Sequence, residues 1–119
     1  MVDLKTASDL VPTARQDGKT VIAAIRGEID LNKSLELRTE LLDVLIKTSA
    51  RNLVLNLDQV PYMDSSAVAV LVELLQRLRK VGGKIILTNL QPRVRGLLEI
   101  ARLNTIFVLV ADEAEALRQ

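Results

Sequence analysis

Cysteine and histidine are both absent from the 119 residues. Without thiols there is no disulfide, no thiolate metal site and no cysteine nucleophile. Without imidazoles the Ser-His-Asp and Cys-His arrangements fall away, as do the usual zinc geometries, leaving only an all-oxygen Asp/Glu site on paper. Tyr62 and Phe107 are the only aromatics, too few for the stacking platforms that hold single-stranded nucleic acid. Charge of one sign is lacking too. Sixteen Lys+Arg against 15 Asp+Glu leave a net +1, so no overall field draws the chain to nucleic acid or to an anionic membrane. Near the centre the longest uncharged stretch, Ser65 to Val72, is eight residues; a spanning helix needs roughly twenty. Met1-Val2-Asp3-Leu4-Lys5 has no apolar core of signal-peptide length. These absences predict a cytoplasmic protein that is not an enzyme. It is expected to hold no metal or cofactor, to insert in no membrane and to bind no nucleic acid directly.

What is present is globular: 49% hydrophobic and 26% charged residues, in a length that suits one domain. An extended segment at about Leu10 to Arg15 contains Pro12, which predicts an edge strand. Asp17-Gly18 signals a hairpin into a second strand, Thr20 to Ile25. Gly27 ends that strand, and Glu28-Ile29-Asp30 makes an acidic corner. Leu35, Leu41, Leu42, Leu45 and Ile46 recur at helical spacing between about Asn32 and Lys47. Leu53 to Leu57 reads as a buried strand.

A second helix starts near Ser65 and stops at Gly82-Gly83. Its inward stripe is Ala67, Leu71, Leu74, Leu75, Leu78 and Val81, while Val68, Val70 and Val72 fall partly off it. The first two turns are thus apolar nearly all round, which fits either burial beneath a neighbouring helix or an exposed apolar rim around Ser65. Ile85 to Thr88 is a strand, and Pro92 opens a helix to about Arg102. Asn104 is placed to take the left-handed closing conformation, Ile106 to Val110 is a last strand, and Asp112 to Glu115 start a short terminal helix. The predicted fold class is α/β: a single domain with a mixed β-sheet, helices packed mainly on one face, and the order ββαβαβαβα.

Charge is uneven along the chain. Between Gln76 and Arg102 seven basic residues and one acid give +6, which leaves −5 elsewhere. Arg77, Arg79, Lys80, Arg93, Arg95 and Arg102 are either a basic patch for an acidic partner or the solvated faces of two helices.

The informative stretch is Leu55-Asn56-Leu57-Asp58-Gln59-Val60-Pro61-Tyr62-Met63-Asp64-Ser65-Ser66. One reading is a receiver domain with Asp58 as phosphoaspartate. It fails on the start of the chain, where a hairpin stands in place of a strand and acidic pair. It fails again at the end, since no lysine follows Lys84. The other reading places Asp64-Ser65-Ser66 at a helix start. A serine there caps free N–H groups. The same position presents a hydroxyl at the positive end of the helix dipole, where an added phosphate meets amide donors.

Met63-Asp64-Ser65-Ser66, set between an Asn-Leu-Asp strand end and an apolar helix with a Gly-Gly stop, resembles the STAS domain. The resemblance is greatest to the bacterial anti-sigma factor antagonists. Gly27-Glu28-Ile29-Asp30 matches that family's Gly-Glu-Leu-Asp corner, and the helix from Pro92 to Leu103 followed by Ile106-Phe107 matches its C-terminal part. The match runs from about residue 8 to 118, so the whole chain, 1–119, is expected to be one STAS domain.

The resemblance implies a partner-switching protein in transcription regulation. The unmodified antagonist binds an anti-sigma factor that is itself a serine kinase, and the sigma factor is released. The kinase then phosphorylates the serine after the Asp, here Ser65 with Ser66 as second choice, and a metal-dependent serine phosphatase resets the switch. The implied partner-binding residues are Gly27, Glu28, Asp30, Asp64, Ser66 and Ala67. Asp64 is expected to help set the loop, and Ser66 to be a capping hydroxyl. The family pattern usually continues Asp-Ser-Ser-Gly, with a second glycine two residues on; Ala67 and Ala69 stand there. A Cβ at Ala67 is expected to narrow a partner's approach. That departure leaves room for the alternative, a non-phosphorylated STAS accessory subunit of a lipid-transporting ABC system.

Overall fold

Among the described residues, six strands lie side by side in the order in which the chain makes them. They are β1 (Val2–Leu4), β2 (Thr13–Asp17), β3 (Thr20–Arg26), β4 (Asn52–Gln59), β5 (Ile85–Thr88) and β6 (Val108–Val110). Four helices connect or follow them: α1 (Leu31–Thr48), α2 (Ser65–Arg79), α3 (Pro92–Ile100) and α4 (Glu113–Ala116), with a 3₁₀ turn at Leu103–Thr105 before β6. The computed structural model describes residues 1–6 and 8–119.

β1, β2 and β3 are antiparallel neighbours, while β3, β4, β5 and β6 run parallel. Parallel crossovers are nearly always right-handed. Three of them moving the same way across the sheet put α1, α2 and α3 on one face, where Leu37, Leu41, Leu71, Leu74, Val94 and Leu98 share one core with Leu53, Leu55 and Leu57 of β4. A receiver is doubly wound, with helices on both faces of a reordered sheet. The sequential order excludes it.

The opposite face carries Ile22, Val54, Ile86 and Val110, covered by Ala116 of the short α4. An ion pair between Arg15 of β2 and Glu113 ties α4 down, and Asn56 Nδ2 donates to the same carboxylate at 2.8 Å. The hairpin forms as predicted, with Asp17 opposite Thr20 and Gly18 at φ 60°.

The C-terminal stop of α2 also forms as predicted. Gly82 is left-handed at φ 78°, Gly83 N–H donates to Leu78 O at 2.8 Å, and Gly82 N–H donates to Arg79 O at 3.1 Å. These are the paired bonds of a Schellman closure. A Cβ on Gly83 would stand 1.6 Å from the carbonyl oxygen of Arg51, so no side chain fits there.

Four expectations are corrected, and one open choice is decided. The segment with Pro12 is not an edge: β2 starts at Thr13, just past the proline, and the edge is β1, which makes the order βββα at the start. In α1, Leu35 and Ile46 are 70% and 60% exposed, while Leu37 and Val44 face the core. Val81 lies beyond the end of α2 and is exposed, so it leaves the predicted stripe. Val68 and Val70 are buried and Val72 packs against the core, so burial between the sheet and its neighbours, not an apolar rim, explains the first turns of α2. The left-handed residue after α3 is Arg102 at φ 59°, while Asn104 lies in the 3₁₀ turn. The reversal comes two residues early because Leu103 turns back onto the core.

The α1 correction has a direct test in chemical denaturation. Leu37→Ala removes a fully buried side chain and is expected to cost about 2–5 kcal/mol. Leu35→Ala should stay within about 0.5 kcal/mol of wild type. Equal losses from the two would place α1 in a different rotation about its axis.

Candidate functional site

Two loops meet at the C-terminal end of the parallel strands. One follows β3 and starts with Gly27 at φ 98°; the other follows β4 and ends at Asp64. Backbone bonds stitch them together: Gly27 N–H to Gln59 O at 2.9 Å, Ile29 N–H to Tyr62 O at 3.0 Å, and Asp64 N–H to Ile29 O at 3.1 Å. Ile29 and Met63 form an isolated parallel bridge and are both buried. With those two side chains anchored inward, Glu28 is exposed, and Asp30 and Asp64 are half-buried at the starts of α1 and α2.

Asp30 caps α1, accepting from Asn32 N–H at 3.0 Å. Asp64 caps α2, accepting from Ser66 N–H at 2.9 Å and Ala67 N–H at 3.4 Å. The hydroxyl of Ser66 donates to the same Asp64 oxygen. That hydroxyl bond, joined by the backbone N–H groups of Ser66, Ala67 and Leu31, holds the Asp64 carboxyl below the ordinary carboxylate range against the opposing effect of desolvation. The cap is therefore the carboxylate, and the expectation that Ser66 supplies a capping hydroxyl is corrected: its hydroxyl braces the cap.

Ser65 is exposed in the first turn of α2, and its hydroxyl makes no hydrogen bond among the described residues. The two serines thus differ. One hydroxyl is committed, the other free.

Ala67 is fully buried, so its methyl fills the core and does not narrow a partner's approach; the exposed alanine is Ala69. Gly27, Glu28, Asp30, Asp64 and Ser66 come together at one end with Ser65. Asp58 is exposed on β4, and among the described residues no three acids are grouped to hold a metal. Sequence reasoning passed over the contact of Tyr62 with Arg93 and that of Gln91 with Asp58. The Arg93 guanidinium stands 5.0 Å from the centre of the Tyr62 ring, and Gln91 Nε2 donates to Asp58 O at 2.6 Å. Together they pin the loop before Asp64 to the start of α3, and Pro92 at the first helical position was the available signal. The six basic residues do not make one patch. Arg93 and Arg95 lie near the start of α3, at the Ser65 end, while Arg77, Arg79 and Lys80 lie at the far end of the 15-residue α2, roughly 22 Å away.

A mixed sheet with its crossover helices on one face, and a capped Asp-Ser-Ser helix start stitched to an acidic corner, define a regulatory α/β module. The STAS domain family model matches residues 11–116, and the chain belongs to that family, among its anti-sigma factor antagonists. BtrV of Bordetella bronchiseptica, named as an anti-sigma factor antagonist, is 32% identical over 96 residues, which is 81% of each chain. The anti-sigma factor antagonist SpoIIAA in its unphosphorylated form is 25% identical, with a TM-score of 0.75 over 87% of this chain and 90% of that one. Its phosphorylated form has also been solved and superposes with a TM-score of 0.69 over 88% and 95% of the two chains, at 24% identity. A Thermotoga maritima protein has the same fold, with a TM-score of 0.84, 20% identity and coverage of 92% and 93% of the two chains. Antagonists of this family are regulators and not enzymes. No helix among the described residues is long and apolar enough to cross a membrane.

Removing the cap tests its role. The lowered carboxyl of Asp64 contributes stability in full above the ordinary carboxylate range and loses it as pH falls through the lowered value. Asp64→Ala should therefore lower the melting temperature by a few degrees at neutral pH. The gap to wild type should close as the pH is taken below about 4. A gap that persists unchanged to about pH 2 would assign the loss to something other than the charged cap.

Proposed function

We propose that this protein binds an anti-sigma factor with serine kinase activity, thereby freeing a sigma factor, and that phosphorylation of Ser65 ends the complex. The observation that carries this reading is the contrast between the two hydroxyls: Ser65 exposed and unbonded, Ser66 engaged with Asp64. In the transfer, Ser65 Oγ bonds to the γ-phosphorus of ATP, the bond to the bridging oxygen of ADP breaks, and a base of the kinase takes the hydroxyl proton. A metal-dependent serine phosphatase returns the serine. The solved unphosphorylated and phosphorylated forms of SpoIIAA support the reading by likeness.

The phosphate adds about −1.5 to −2 charge at pH 7. It sits in the first turn of α2, where the helix dipole favours a negative charge by about 0.3–1 kcal/mol, so the fold tolerates it. A partner closing over the same surface meets that charge beside Asp64 and the Glu28–Asp30 corner. Desolvating it there without a new cation costs on the order of 3 kcal/mol, more than a hundredfold in affinity.

Incubation with the cognate anti-sigma kinase and ATP should add one phosphate, placed on Ser65 by peptide mass spectrometry. Ser65→Asp should keep its circular-dichroism spectrum and lose roughly a hundredfold in affinity; Ser65→Ala should bind and resist the kinase. Phosphate mainly on Ser66 would move the acceptor by one residue. Unfolding of Ser65→Asp, or wild-type affinity in it, would remove the switch.

A further inference from the structure

At the end of the molecule opposite Ser65, the last turns of α1 and α2 and the turns before β3 and β4 enclose a groove of about 700 Å³. Lys19, Arg51, Arg77 and Lys80 line it, and among the described residues no acid does. None of the four is in an ion pair among the described residues. Between them the surface is apolar. Leu45, Ala50 and Leu78 are buried at its base, while Ile46 and Val81 stand 60% and 53% exposed at its edges.

Cations at helix C-termini offset the helix dipole, which accounts for Arg77 and Lys80. It does not account for Lys19, in the hairpin turn, or for Arg51, three residues beyond the end of α1. Nor does it explain two aliphatic side chains held in water among four cations. We infer that this groove docks an acidic amphipathic segment of a partner protein, a helix with apolar side chains on one face and Asp or Glu beside them.

Shape and charge together select that occupant. A helix with its side chains is about 10–12 Å across, so a groove of this volume takes the apolar face of roughly two turns. That is the helix-in-groove mode of recognition, with apolar anchors reaching the base and carboxylates meeting the surrounding cations. A bilayer is flat on this scale and would touch the edges without reaching Leu45 or Leu78. The site uses the far end of α2 from Ser65, so it stands or falls separately from the phosphorylation reading.

The test uses the full chain and a model peptide, because recognition by charge and apolar contact requires no particular sequence. The probe is a fluorescein-labelled helical 16-residue peptide with Leu on one face and Glu beside it. A scrambled peptide of the same composition and phosphatidylglycerol vesicles serve as comparisons. The helical peptide should bind in fluorescence anisotropy, more weakly as salt is raised. The scrambled peptide should bind severalfold more weakly. Arg77→Glu with Lys80→Glu should weaken binding by about tenfold or more, Ile46→Ser should weaken it less, and Ser65→Asp should leave it unchanged. Arg77→Gln with Lys80→Gln is the milder pair should the reversals perturb α2. The proposal is overturned if the peptide does not bind, if neither pair of substitutions changes its affinity, or if vesicles bind this end and the peptide does not.

Discussion

Asp64 is the group on which the Ser65 end of the molecule depends. Its carboxylate receives the N–H groups of Ser66 and Ala67 at the start of α2 and the Ser66 hydroxyl. Its own backbone N–H reaches back to Ile29 O. One residue thereby satisfies orphan donors of α2 and joins the two loops that precede α1 and α2. Because the carboxylate does the capping, neither serine has to. Ser66 is recruited as a brace, and Ser65, one position earlier, is left with its hydroxyl in solvent. Under the proposed switch, a serine cap would tie modification to stability at a single oxygen; a carboxylate cap separates them.

The sheet makes this meeting of loops unavoidable. β3 and β4 are parallel neighbours, so their C-terminal ends emerge side by side, and each leads into a crossover helix on the same face. The corner at Gly27–Asp30 and the turn at Tyr62–Asp64 therefore face one another. Ile29 and Met63 can bridge them only because both side chains find the core. The register alternates: the buried residue of each loop is flanked by a polar one, and the polar ones make the surface. Burial of two apolar side chains thus sets the position of Glu28, Asp30 and Asp64.

Much of this was legible from local pattern. The Asp-Gly hairpin, β5, the Gly-Gly stop and the Asp-Ser-Ser helix start carry their geometry in their own residues, so reading them needed no tertiary knowledge. What failed was rotation and contact. Leu35 and Leu37 are both leucine two positions apart, and only packing against the sheet decides which faces inward; the sequence pattern chose the wrong one. β1 is three residues long with Asp3 at its centre, and it exists by pairing with β2, which no local signal announces. At the site the participants were readable and their bonds were not. That Asp64, not a serine, is the cap, and that Ala67 points inward, follow from the direction in which α2 leaves the loop. Tyr62 and Arg93 are 31 positions apart in sequence, and only the adjacency of β4 and β5 brings them to 5.0 Å.

The distribution of charge connects the two ends of the molecule. The crossover helices all start at the C-terminal edge of the sheet and finish at the other, so their dipoles point the same way. Acids at the starts of α1 and α2, and Lys47, Arg77 and Arg79 in their last turns, complement those dipoles at both ends. Helix stabilisation thus accounts for Asp30 and Asp64 beside Ser65 and for Lys47, Arg77 and Arg79 at the opposite end, within a chain of net charge +1. The dipole is felt over about one turn, whereas a partner approaching the Ser65 end feels every charge within roughly a Debye length of 8–10 Å. A phosphate on Ser65 would be welcomed by the first turn of α2 and opposed in any interface that has to bury it beside Asp64. In the proposed switch, the same charge leaves the fold intact and ends the complex because the two respond over different distances.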